Sequence, residues 1–114
     1  MAAARLKLKI QIMAGDEIAL GPGKAALLEA IAATGSISAA ARATGMSYRR
    51  AWLLVDTCNR CFAEPLVETV RGGGACLTAQ GHALLSAYQA LVARIAPAAD
   101  DPDYARIAAA LRSP

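Results

Sequence analysis

The chain is 114 residues long, the size of one domain with room for a small appendage, which excludes a multidomain enzyme. Hydrophobic residues make up 56% of it, but 29 of them are alanine, so the 35 other apolar side chains must build the core; that suffices for a small helical domain and excludes a disordered chain. Twelve Lys and Arg against nine Asp and Glu give a net charge of +3, and the excess sits in residues 1–95, which favours a polyanionic partner, nucleic acid first.

From Arg5 to Met13, Leu6, Leu8, Ile10 and Ile12 alternate with Lys7, Lys9 and Gln11, the period of a strand with one face buried. A turn at Ala14, Gly15 and Asp16 leads to Ile18–Leu20, which can pair back as a second short strand. Pro22, tolerated in a first helical turn, opens a helix that places Leu27, Leu28 and Ile31 on one face and ends at Gly35. Ser36 caps a two-turn segment to Thr44, stopped by Gly45, and Ser47 caps a third helix running to Phe62. On that helix Ala51, Leu54, Val55, Cys58 and Phe62 recur at helical spacing. Leu66–Val70 and Ala75–Thr78 flank Arg71, Gly72, Gly73 and Gly74 and read as a hairpin with a glycine tip. Thr78 caps a further helix with a stripe of Leu84, Leu85, Tyr88, Leu91, Val92 and Ile95. Asp101 and Pro102 open a last one carrying Tyr104, Ile107, Ala108 and Leu111. The expected division is a domain over 1–95 and a short helical appendage over 96–114.

The stretch SISAAARATGMSYRRAWLLVDT, Ser36 to Thr57, has the anatomy of a helix-turn-helix. Such a unit needs a small residue where its helices cross, here Ala41, a glycine with positive φ in the turn, here Gly45, and inward apolar groups, here Met46, Ala51 and Leu54. It leaves the start of the second helix facing outward: Ser47, Tyr48, Arg49 and Arg50. A helix N-terminus favours phosphate, and Arg pairs bidentately with guanine, so these four are the candidates for reading DNA. Arg42 and Arg60 add to the positive field there, with Asp56 as the nearby acid, and Lys24 joins Arg42 and Arg71 as a candidate for electrostatic capture. The glycine-tipped hairpin after the helix completes a winged helix-turn-helix, with Arg71, Gly72 and Gly73 as backbone contacts.

In GKAALLEAIAATGSISAAARATGMSYRRAWLLVDTCNR, LVETVRGGGACLT and the helix from QGHALL, the chain resembles the DNA-binding domain of the molybdate-dependent transcriptional regulators, the ModE family, over roughly residues 5–95. The resemblance implies a winged-helix homodimer on a palindromic operator, with the N-terminal strand pair and the helix after the wing joining the subunits. It places Ser47 to Arg50 on the recognition helix and Arg71 to Gly74 on the wing. The loop RGGGA is shorter than the family's usual glycine run. No part of the 114 residues is left to form oxyanion-binding C-terminal domains, so molybdate binding is not carried over.

Other signals are weaker. Cys58, Cys61, Cys76 and His82 could hold zinc, but Cys58 continues an apolar stripe and a CxxC inside a helix is a poor motif, so no metal and no cofactor are expected. Trp52 reads as a buried anchor against Leu28. No catalytic carboxylate pair, phosphate loop or nucleophilic triad is apparent, so the chain does not read as an enzyme. No run approaches the roughly 18 apolar residues that span a bilayer, and MAAARLKLKIQIM is not a signal core. A cytoplasmic protein with reduced thiols and no membrane partner is expected. The sequence thus points to an α+β, mostly helical winged helix-turn-helix with C-terminal dimerisation helices, a regulator binding double-stranded DNA as a homodimer. The competing reading is a winged-helix protein-interaction module without DNA binding.

Overall fold

The computed structural model describes residues 4–112. Strands β1 (Ile12–Ala14) and β2 (Glu17–Leu20) form an antiparallel pair, followed by helices α1 (Pro22–Thr34), α2 (Ile37–Ala43) and α3 (Tyr48–Cys61). A second antiparallel pair, β3 (Val67–Val70) and β4 (Gly74–Leu77), leads into α4 (Ala79–Ile95), a 3-10 helix (Ala96–Asp100) and α5 (Pro102–Ala109). This is the α+β winged helix-turn-helix predicted from the sequence.

The caps explain why the helices begin where they do. Ser36 Oγ accepts the Ala39 N–H, Ser47 Oγ that of Arg50, Thr78 Oγ1 that of Gly81 and Asp101 Oδ1 that of Asp103, at 2.8–3.1 Å. Each satisfies an otherwise orphaned donor and stabilises its helix by about 1 kcal/mol. Gly45 takes φ +69° in the turn between α2 and α3, a left-handed conformation costly for any residue with a Cβ. The Met46 N–H returns there to the Ala41 carbonyl at 3.0 Å.

One core joins these elements. Leu27, Leu28 and Ile31 of α1, Ile37, Ala40 and Ala41 of α2, and Ala51, Val55 and Cys58 of α3 pack with Leu66, Val67, Leu77 and Leu85. Ala40 and Ala51 are fully enclosed, so alanine is what lets the short helices approach. Gly81 serves the same end: a Cβ there would lie 2.1 Å from the Leu66 carbonyl oxygen, over which the first turn of α4 passes.

Two links fix the hairpin to this body. The Ala75 N–H of β4 bonds the Gly35 carbonyl at 2.9 Å. Asn59, in the last turns of α3, accepts the Leu66 and Val67 N–H groups at 2.9 and 3.1 Å and donates to the Val67 carbonyl at 3.0 Å. Asn59→Ala removes all three bonds and leaves partly buried backbone groups unpaired; urea unfolding should show a loss of about 2–3 kcal/mol. Asn59→Asp, which keeps the acceptor, should lose less.

One expectation needs correction. The strand predicted over Arg5–Met13 pairs only from Ile12, because β2 offers four residues between the Gly15 turn and Pro22 and the ladder has no further partner. A register shift between Ile12 and Met13 also breaks the alternation. Ile10 is held instead by the Tyr88 hydroxyl, which donates to its carbonyl at 2.8 Å. At the other end, residues 96–100 form a 3-10 helix, an element the sequence pattern does not mark. It carries α5 away from the core: α5 has no buried residue, and Ile107 and Leu111 are 65% and 61% exposed. The chain is therefore elongated, with a radius of gyration of 17.0 Å against about 13 Å for a compact domain of this length.

Candidate nucleic-acid interface

Helix α3 buries Ala51, Val55 and Cys58 along one edge, with Leu54 and Asn59 half-buried on its two sides, and turns Tyr48, Arg49, Arg50, Leu53, Asp56 and Arg60 outward. At about 100° per residue, Arg49, Leu53, Asp56 and Arg60 lie opposite that edge, Tyr48 and Trp52 lean to one flank and Arg50 to the other. Ser47, Tyr48, Arg49 and Arg50 are all exposed. Ser47 spends an acceptor lone pair on its cap and keeps its hydroxyl proton free to donate.

The structure separates the cations that the sequence grouped together. No ion pair among the described residues engages Arg49 or Arg50. Arg60, expected to add to the positive field, is instead held by Glu17 of β2 in a bidentate pair at 2.6 and 2.8 Å, with Asp56 at 3.7 Å. The hydrogen bonds and charge of Arg60 hold the Glu17 carboxyl below the usual carboxylate range and raise the guanidinium in turn. This pairing bridges 43 positions in sequence, beyond the reach of any local pattern.

Lys24 also departs from expectation. It retains only 9% exposure, because α1 starts against the strand pair and its stem runs along the cleft wall. That cleft is shared with Lys9, Gln11, Gly21, Arg50 and Leu54. Lys24 is thus largely enclosed in the cleft wall and not on the open surface, while the exposed Lys9 lines the same cleft as Arg50.

Trp52 is the third correction. Instead of packing against Leu28 it is 37% exposed, edge-on to Tyr48 with ring centroids 6.2 Å apart. A helical wheel puts it at the boundary of the buried arc, and the hairpin on that side leaves a cleft rather than a lid. Leu53, 56% exposed, adds a second apolar group to the outer face.

Arg42 is exposed in the last turn of α2. Arg71, Gly72 and Gly73 form the exposed hairpin tip, where both glycines have φ near +90°. The tip projects beside α3, held by the Asn59 and Gly35 links.

Cys58 does continue the buried stripe: its thiol donates to the Ala19 carbonyl at 3.7 Å, and burial pushes its pKa up to about 11. Cys76 faces Glu68 at 3.6 Å on the hairpin, with its pKa raised by desolvation. Among the described residues no three His, Cys, Asp or Glu side chains come together as a metal site. No helix there is long and apolar enough to cross a membrane.

Residues 24–82 match the family described as bacterial regulatory helix-turn-helix protein, lysR family. The chain is 47% identical over 81 residues to the molybdenum-pterin-binding protein MopB of Rhodobacter capsulatus, covering 68% of this chain and 30% of that protein. It is 38% identical over 95 residues to the molybdenum transport protein ModE of Azotobacter vinelandii, covering 80% and 35%. It is 37% identical over 90 residues to the DNA-binding transcriptional dual regulator ModE of Escherichia coli strain K12, covering 75% and 33%. The chain spans about a third of the length of these relatives.

Proposed function

Because the chain belongs to the lysR family of bacterial regulatory helix-turn-helix proteins, we propose that it is a sequence-specific transcriptional regulator that lays the start of α3 in the major groove of duplex DNA. The observation that carries this is the freedom of Arg49 and Arg50: they are exposed and outside every described ion pair, while the third arginine of the same helix is neutralised. Arg49 and Arg50 read base edges, Ser47 and Tyr48 support them, Arg42 meets phosphate, and Arg71, Gly72 and Gly73 touch the backbone or the neighbouring minor groove. This is the task of a binding protein, not an enzyme, and it belongs in the cytoplasm with the DNA.

The regulator acts as a homodimer on a palindromic operator. An open apolar groove lined by Ile12, Leu20, Phe62, Leu84, Tyr88 and Leu91, together with the bare apolar side of α5, supports this reading: both surfaces need a partner that the elongated monomer does not supply. Residues 1–95 are then the DNA-binding domain and 96–114 an appendage serving the dimer. The molybdenum named in the relatives is assigned no residue in this chain.

Selection of bound duplexes from a random pool, with affinities compared at two salt concentrations, tests the proposal. A palindrome with half-sites about one helical turn apart and a steep salt dependence are expected. Absence of duplex binding would leave the protein-interaction reading in its place.

The Glu17–Arg60 pair adds an expectation of its own. Glu17→Gln removes the closer of the two carboxylates that hold Arg60 and leaves Asp56 at 3.7 Å, so non-specific affinity should rise and the salt slope steepen, by no more than about 0.9 for one added phosphate contact. Since the carboxyl is held below its ordinary range, the pair is intact at neutral pH and is lost only as pH falls through that lowered value. Filter binding at several salt concentrations checks the first expectation, and repeating it at falling pH checks the second.

A further inference from the structure

A cleft of about 140 Å³ opens between the start of α3 and the hairpin, lined by Ser38, Tyr48, Trp52, Thr69, Gly73 and Gly74. Its polar groups come from three different elements, α2, α3 and β3, and no carboxylate lines it. Ser38 Oγ shares a 3.0 Å hydrogen bond with Ser36, whereas no hydrogen bond among the described residues engages the Tyr48 or Thr69 hydroxyl. Between these donors stands the edge-to-face pair of Tyr48 and Trp52, the latter the only tryptophan of the chain. An indole left 37% exposed and two hydroxyls without a partner among the described residues surround this concavity, although Trp52 is absent from the core and the hairpin is already held by Asn59 and Gly35.

Position decides what such a cleft receives. A protein with one helix in the major groove and its wing at the adjacent minor groove straddles the sugar–phosphate strand that separates the two grooves. The cleft lies between the two elements on that side, so under this docking the strand runs over it. We infer that the Tyr48–Trp52–Thr69 cleft clamps one deoxyribose and its phosphate, the indole packing on the sugar and the Tyr48 and Thr69 hydroxyls donating to non-bridging oxygens. A Cβ at Gly73 would meet nothing within 4 Å, so that side of the cleft is open and the strand can approach the hairpin backbone there, whereas Gly74 is required by its close approach to Val70 and the Gly35 carbonyl. This inference rests on the reading of α3 as a major-groove helix, and it assigns to Trp52 and Thr69 a contact that carries no sequence information.

Trp52 reports on it directly. Titration of the intact chain with its selected duplex, excited at 295 nm, should change Trp52 emission and lower its quenching by acrylamide several-fold at saturation. Tyr48→Phe and Thr69→Val, which remove only hydroxyls, should each weaken binding about 3- to 10-fold, equally for selected and scrambled duplexes, with unfolding midpoints unchanged. If the duplex binds in a gel shift while Trp52 emission and quenching stay as in the free protein, the clamp is overturned and the regulator reading stands. A loss confined to the selected sequence also overturns it, since the cleft would then be reading a base. Failure of the parent chain to bind any duplex removes both readings together.

Discussion

Replacing Arg49 with alanine lowers operator affinity by about 1–3 kcal/mol and relaxes discrimination at one base pair, which is the cost of removing a bidentate contact to a base edge. Arg49→Lys recovers little, because a point charge cannot reproduce the planar fork of the guanidinium. Arg50→Ala behaves differently. Arg50 leans to the other flank of α3, into the cleft it shares with Lys9 and Lys24, where positive charge is concentrated and the strand of DNA is met as phosphate as well as base. Its loss should therefore flatten the salt slope by about one contact besides lowering affinity. Neither substitution should move the unfolding midpoint, since neither side chain is in an ion pair among the described residues and both are exposed. Quantitative footprinting at several salt concentrations, with thermal unfolding alongside, separates these outcomes. Unchanged affinity in both variants would remove α3 from the major groove.

Leu91→Asp should separate the subunits. Leu91 lines the apolar groove and is only half-buried in one subunit, so the monomer can hydrate an aspartate there and keep its fold. Across a closed interface the same carboxylate would be desolvated without a partner, at a cost of several kcal/mol. Sedimentation should show dimers for the parent chain and monomers for the variant. Operator affinity should fall by about 10²–10⁴, the avidity lost when two half-sites are no longer engaged by one molecule. Ile107→Asp, on the exposed side of α5, tests whether that helix shares the interface: a monomeric variant would place it there, and a dimer with unchanged affinity would leave it outside. A parent chain that sediments as a monomer at micromolar concentration overturns the dimer.

What could be read from the sequence was what local chemistry settles. The capping hydroxyls of Ser36, Ser47 and Thr78, the turn at Gly45 and the stripe of Ala51, Val55 and Cys58 depend on neighbours within a few residues, and each appears in the structure where expected. The readings that failed depend on distant partners. The first strand is cut short by the length of the one it pairs with, and Arg60 is claimed by Glu17, 43 positions away. Lys24 is enclosed because α1 begins against the strand pair. Trp52 sits at an angle on α3 where either burial or exposure suits the helix, and the placement of the hairpin chose between them. Asn59 carried a weak signal, a polar residue near an otherwise apolar arc, but its three backbone partners lie seven and eight residues ahead in a strand whose position the pattern does not give.

The bond from the Ala75 N–H to the Gly35 carbonyl, with Asn59 gripping the other strand of the hairpin, bolts the tip at a set offset from α3. Under the proposed docking, two contact points mounted on one frame would work as a gauge of helical pitch, engaging together only where twist brings the two grooves to the matching spacing. Stretches of identical sequence under different supercoiling would then present unequal targets, and the torsional state of a promoter would enter the response through the geometry of the hairpin root.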